Sequence, residues 1–247
     1  MSLFSPKYAP HLCIGVSREE SQKLSQLAPG VSYEVTHYSL MGSCGTYLDA
    51  PFHFVEDGAD LANLPLQKLV LPGQIIDCTK VSPRGEITAG VLAEYEVRTG
   101  HAILLRTDFS KFWGTEEYRQ HPFLVESGVT YLVEHKVGLV GIDGLILDDS
   151  RDGHRPAHTG LLGAGITIVE NLCHLDQLPS GGFYFVAVPP KFERGTAFVV
   201  EPSRFSFLER EASLISFPVF LPCPDNQRGP EEVLSQKFHF QSHLGFG

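Results

Sequence analysis

The 247-residue chain contains no stretch of the roughly 18 consecutive apolar residues that a membrane-spanning helix requires. Its first thirty residues hold Lys7, Arg18, Glu19 and Glu20 and lack the apolar run of a secretory signal, so no signal peptide is expected. Cysteine is sparse. Cys13, Cys44, Cys78, Cys173 and Cys223 are odd in number, scattered, and form no CxxC pair. That argues against a disulfide framework and a structural zinc site, and fits reduced thiols in a cytoplasm. Basic clusters are also missing: 19 Lys and Arg face 29 Asp and Glu, a formal charge of -10. Nucleic acid is therefore not an expected partner, because its phosphates require a basic surface. No repeat, low-complexity stretch or compositional break divides the chain, and one domain over residues 1–247 is expected.

What is present is an ordinary globular balance, 43% hydrophobic and 19% charged, sufficient for a sizeable core. Ser17 with Glu20 three residues later has the form of a capping box and predicts a short helix over SREESQKLSQL. Strands are predicted at SYEVTHYSL (32–40), GQIIDCT (73–79), AILLRTDF (102–109), ITIVENL, FYFVAVP (183–189) and SLISFPVF (213–220). VGLVGIDGLIL reads as a strand buried on both faces. A helical turn is expected in DLANLPLQKL, and helices in ITAGVLAEYEVR and PEEVLSQKF. HPFLVESGVTYLVEHK (121–136) reads as one helix or two short ones, with Gly128 as a weak point. The sum is a single α/β domain with a mixed sheet and flanking helices.

Chemistry concentrates in SCGTYLDAPFHF, residues 43–54. Ser43, Tyr47, Asp49 and His53 are separated by even numbers, so an extended backbone would put all four on one face, although Gly45 and Pro51 interrupt ideal strand geometry. An Asp beside a His can bind a metal, or the carboxylate can orient the imidazole as a base. A second cluster follows. His154 and His158 lie in the polar stretch SRDGHRPAHTG (150–160), and Glu170 ends the apolar run ITIVE. A buried carboxylate at a strand end needs a compensating partner, either Arg or Lys or a divalent cation. Asp49, His158 and Glu170 together make a nitrogen-and-oxygen donor set suited to zinc or manganese.

GTYLDAPFHF resembles the signature of the cyclase family of metal-dependent hydrolases, which includes bacterial kynurenine formamidase and isatin hydrolase. Of that family's pattern, H-x-G-T-H-x-D-x-P-x-H, Gly45, Thr46, Asp49, Pro51 and His53 are present, while Ser43 and Tyr47 replace two metal-binding histidines. AILLRTDFSKFW, VGLVGIDGLILD and HTGLLGAGITIVENLCHLDQLPSGGFYFVAVPPKF extend the likeness over most of residues 30 to 200. The resemblance implies a swivelling β/β/α domain, a metal position at Asp49, His158 and Glu170, His53 as catalytic acid/base, and a homo-oligomer, either dimer or tetramer.

Three readings follow. One is a hydrolase of an amide, cyclic amide or lactone that keeps a single divalent ion, with Cys44 or His37 as further ligands. A second is a metal-independent cyclase, dehydratase or isomerase of a carbonyl compound, in which Tyr47 and Ser43 donate hydrogen bonds and Asp49 and His53 form the acid/base pair. The third is a non-catalytic binding protein for a small ligand. Ser43, Cys44 and Trp113 are the candidate substrate contacts, and Cys44 beside Gly45 also reads as an inert packed thiol.

Overall fold

The computed structural model of the chain describes residues 11–24, 26–205 and 212–214. In chain order the elements are β1 (His11–Val16), α1 (Arg18–Leu24), β2 (Val35–Ser39), β3 (Tyr47–Asp49), β4 (Val70–Asp77), β5 (Glu86–Ile87) and α2 (Ala89–Leu92). Then come β6 (Ala102–Arg106), β7 (Phe123–Leu124), α3 (Glu126–Glu134), β8 (Leu139–Ile142), α4 (Pro156–Gly163) and β9 (Thr167–Glu170). The last described strands are β10 (Phe183–Val186), β11 (Ala197–Val199), β12 (Ser203–Phe205) and β13 (Ala212–Leu214). Most of SLISFPVF and all of PEEVLSQKF lie outside the described residues.

A nine-stranded sheet in the order β11-β3-β9-β8-β6-β4-β10-β12-β13 forms the centre. Its middle pairs, β4 with β6, β6 with β8 and β8 with β9, are parallel; the flanking pairs are antiparallel. The mixed sheet and flanking helices agree with the predicted α/β class. Parallel neighbours need a crossover, and α2, α3 and α4 lie in the three connections that join these middle strands.

Side-chain alternation sorts the core into two layers. Ile103, Leu105, Val140, Ile142 and Ile168 pack on Val129 and Leu132 of α3 and Leu161 and Leu162 of α4. Leu48, Leu104, Leu139, Val169, Phe183 and Phe185 pack on the opposite side against Leu61 and Leu64. The run VGLVGI is thus buried on both faces, as its continuous apolar character predicts. The capping box is formed: the Ser17 N–H donates to Glu20 at 2.8 Å, and the Glu20 N–H donates to Ser17 Oγ at 3.1 Å. Thr88 caps α2 by accepting from the Val91 N–H at 3.3 Å.

Gly128 is not a weak point. It lies inside α3, where an added Cβ would stand 2.6 Å from the Ile87 carbonyl oxygen and 2.7 Å from Leu124 Cδ1. Close packing, not helix interruption, explains this glycine. Among the described residues no helix is long and apolar enough to cross a membrane.

Candidate metal centre

Two short strands and the first turn of a helix build the centre. In the β3–β9 pairing, Tyr47 stands opposite Glu170 and Asp49 opposite Ile168. Leu48 and Val169 fill the other core layer, so the period-two alternation turns Tyr47, Asp49 and Glu170 toward the side covered by α4. The helix contributes His158. Although the sequence places His154 and His158 in one polar loop, the helix begins at Pro156 and separates them: His158 is buried, whereas the side chain of His154 is 95% exposed. Pro156 occupies the first helical turn, where a missing N–H costs nothing.

His158 Nε2 lies 3.6 Å from Asp49 Oδ2 and 3.5 Å from Glu170 Oε1. One ligand atom from each of the three residues fits within 4.8 Å of the other two. Metal–ligand bonds of 2.0–2.2 Å in tetrahedral geometry separate neighbouring ligands by about 3.4 Å. Asp49 is fully buried, and neither of its carboxylate oxygens has a hydrogen-bond partner. A buried charge without a donor is costly, and a cation is a chemical partner that satisfies it. The residues therefore fit a divalent ion.

The electrostatics agree. Burial and the Asp49 charge push the Glu170 carboxyl upward, against the pull of His158 and hydrogen bonds from Tyr47 and Leu147. Burial works to lower the His158 pKa, but the Glu170, Asp148 and Asp49 carboxylates outweigh it and raise the imidazole to about 10. Without an ion, a protonated His158 is the positive charge that the carboxylates share.

The remaining sequence candidates other than Tyr47 do not share one strand face with Asp49. Only Tyr47–Asp49 is strand, so the even spacing that would align Ser43 and His53 with Asp49 does not persist. Gly45 takes φ of 65°, Ser43 lies in a turn, and Pro51–His53 is a turn of 3₁₀ helix. His53 nevertheless returns to the centre, with Nε2 3.9 Å from Asp49 Oδ1 and its side chain 35% exposed. The Tyr47 hydroxyl donates to Glu170 Oε2, and burial, followed by the Glu170 charge, pushes its pKa well above 10. Burial raises the Cys44 thiol, the wrong direction for a nucleophile. His37 lies on the exposed strand β2, paired with Cys13 of β1. Trp113 packs edge-on against Tyr118 with ring centroids 5.3 Å apart, and the Tyr118 hydroxyl donates to Asn171 Oδ1 at 2.9 Å.

Three contributors escape a linear reading. Asp148 accepts from His158 Nδ1 at 2.5 Å; its only signal in the sequence is the Asp pair ending LILDD. The Leu147 N–H donates to Glu170 Oε1 at 2.7 Å, and a backbone donor leaves no mark in a sequence. Phe54 sits over His158 with centroids 4.9 Å apart and covers one side of the imidazole.

Comparison with known proteins follows the same lines. The family described as "Putative cyclase" matches residues 5–149. Kynurenine formamidase from Polaromonas naphthalenivorans is 28% identical over 178 residues, covering 72% of this chain and 77% of that protein. Isatin hydrolase from Roseibium aggregatum is 27% identical over 213 residues, covering 76% of this chain and 81% of that protein. The solved structure of isatin hydrolase A from Labrenzia aggregata, bound to benzyl benzoate, shares the fold with a TM-score of 0.69 and 24% identity, covering 82% of this chain and 87% of the other. With its signature in β3 and the following turn, and its fold in common, the chain belongs to the cyclase family of metal-dependent hydrolases.

Proposed function

We propose that the protein hydrolyses the C–N bond of a small amide or cyclic amide, or the ester bond of a lactone, with one divalent ion, zinc or manganese, held by Asp49, His158 and Glu170. The observation that carries this reading is the buried Asp49 carboxylate, both oxygens of which lack a hydrogen-bond partner while His158 Nε2 lies 3.6 Å from one of them. An ion held there would polarise a carbonyl and lower the pKa of a bound water toward about 7.

The chain's own residues supply the rest. His53, partly in solvent and with Nε2 3.9 Å from Asp49 Oδ1, takes a proton on Nε2 and returns it to the leaving nitrogen or oxygen. Asp49 stabilises the imidazolium formed in between. Phe54 packs against the His158 ring with centroids 4.9 Å apart. The metal-independent reading needs the Tyr47 hydroxyl as a donor to substrate, but that hydroxyl donates to Glu170 inside the core. The kynurenine formamidase and isatin hydrolase relatives support C–N hydrolysis as the reaction class.

The test is twofold. Elemental analysis and titration with zinc and manganese are expected to give one ion per chain, lost in Asp49→Ala and Glu170→Ala. N-formyl aromatic amines, isatin-type cyclic amides and aromatic lactones are then assayed with and without chelator. Turnover of at least one class that ceases with chelator and returns with the ion is expected. Absence of any bound ion, or turnover indifferent to chelator, overturns the proposal.

A further inference from the structure

Tyr47 and Glu170 are a directly opposed cross-strand pair, and Tyr47 is 5% exposed. The two oxygens of Glu170 are treated differently by their surroundings. Oε2 accepts the Tyr47 phenol. Oε1 accepts the Leu147 N–H at 2.7 Å and is also the oxygen 3.5 Å from His158 Nε2. A carboxylate oxygen has two lone-pair positions. After the Leu147 contact, Oε1 therefore keeps one position, on the side that faces His158. Oε2 is engaged on the side of the phenol. Register fixes the phenol, the backbone of residue 147 fixes the other edge, and the carboxylate cannot turn without losing one of the two bonds.

We infer that Tyr47 is a positioning residue: it holds Glu170 so that a single oxygen, Oε1, is offered to a divalent ion shared with Asp49 and His158. The inference rests on the one-ion reading proposed above and adds to it the mode in which Glu170 binds. A tyrosine that merely filled space would leave Oε2 without a donor from Tyr47, and its hydroxyl would be dispensable for the ion. A phenol that holds one oxygen acts as an outer partner of the ligand, and such partners typically change metal affinity by about 10- to 100-fold when removed. Tyr47→Phe keeps the ring and deletes only the donor. The released Oε2 is then free to join Oε1 on the ion or to swing the carboxylate away.

Cobalt(II) alone serves as the probe, because its visible absorption reports the number of ligands as well as occupancy. Ion-free wild-type protein is expected to bind one cobalt per chain, measured by competition with a chromophoric chelator. Folded Tyr47→Phe is expected to bind it about 10- to 100-fold more weakly, with a weakened and shifted visible band. Equal affinity together with an unchanged band in a folded variant overturns the inference and leaves the one-ion reading standing. Failure of the wild-type protein to take up cobalt, zinc or manganese overturns both. If Tyr47→Phe does not fold, wild-type protein with its eight tyrosines replaced by 3-fluorotyrosine answers the same question. A more acidic phenol is a stronger donor, so its cobalt band is expected to move from that of unlabelled protein. An unmoved band overturns the inference.

Discussion

Asp148 grips His158 from two directions. Its Oδ2 lies 2.5 Å from the imidazole Nδ1 and 3.2 Å from the His158 backbone nitrogen, while Oδ1 accepts from the Ala157 N–H at 2.7 Å. An ionised carboxylate only accepts, so Nδ1 carries a proton and Nε2 is the nitrogen left for Asp49, Glu170 and an ion. The same carboxylate satisfies two otherwise orphaned N–H groups in the first turn of α4. Aspartate at this position therefore couples helix capping to the orientation of the His158 imidazole.

Replacing Asp148 separates these two tasks. Asp148→Asn keeps a side-chain acceptor for the helix but weakens the grip on Nδ1, and ion affinity is expected to fall about 10- to 100-fold. Asp148→Ala is expected to lose the cap as well, a further destabilisation of about 1 kcal/mol. Chelator competition measures the first effect, and urea unfolding of the ion-free protein measures the second.

An ion held at the proposed centre would have to displace a proton. With its folded pKa raised to about 10 from an ordinary 6.5, His158 is protonated at neutral pH in the ion-free protein. Its contribution to stability is then fully present below about 6.5 and lost as pH rises through about 10. Ion binding has the opposite dependence, because it needs Nε2 deprotonated. Affinity is expected to rise about tenfold per pH unit between pH 6 and 8, with about one proton released per ion. Calorimetric titration in buffers of different ionisation enthalpy counts the proton. The melting temperature of loaded protein should separate progressively from that of ion-free protein as pH rises.

His53 has a different role from His158, and its replacement should show it. Its Nε2 is 3.9 Å from Asp49 Oδ1 and its ring is partly in solvent, so it is not one of the three buried groups that could hold an ion. His53→Gln is expected to bind zinc as the wild type does and to lose about 10²- to 10⁴-fold in kcat. An equal loss of ion affinity would instead make His53 a ligand. Steady-state kinetics on any substrate turned over by the wild type, beside a zinc titration, separates the two.

Asp49, His158 and Glu170, which the structure brings together, stood out in the sequence as chemically distinctive residues, the two carboxylates in apolar runs and His158 in a polar stretch. The period-two rule places Asp49 beside Tyr47 within β3. It fails for Ser43 and His53, since Gly45 at φ of 65° and the 3₁₀ turn at Pro51 change the backbone path. Asp148 was not legible: its partner is ten residues away, and only the turn into α4 brings them together. Nor was the purpose of Gly128. A glycine within a helical pattern reads locally as a break, whereas here the cause is the Ile87 carbonyl on a neighbouring strand. The strands of the parallel core were the most readable elements, since burial on both faces leaves continuous apolar runs such as those in β6 and β8.

Two glycines three positions apart in α4 should respond to alanine with opposite signs. At Gly160 an added Cβ would stand 2.5 Å from Val129 Cγ1 in α3. Val129 is buried and β-branched, so it cannot turn aside easily. Overpacking of this kind costs about 1–3 kcal/mol, of which about 1 kcal/mol is recovered from helix propensity. Gly160→Ala is therefore expected to destabilise the fold by up to about 2 kcal/mol. Because His158 sits on the same helix, the displaced α4 should also weaken ion binding. At Gly163 an added Cβ would meet no atom within 4 Å, and the φ of this residue is not in the left-handed region. Gly163→Ala is expected to stabilise by about 0.5–1 kcal/mol with no change in ion affinity. Urea midpoints and zinc titrations of the two variants test the argument together. A neutral Gly160→Ala would mean that the α3–α4 contact yields without moving His158.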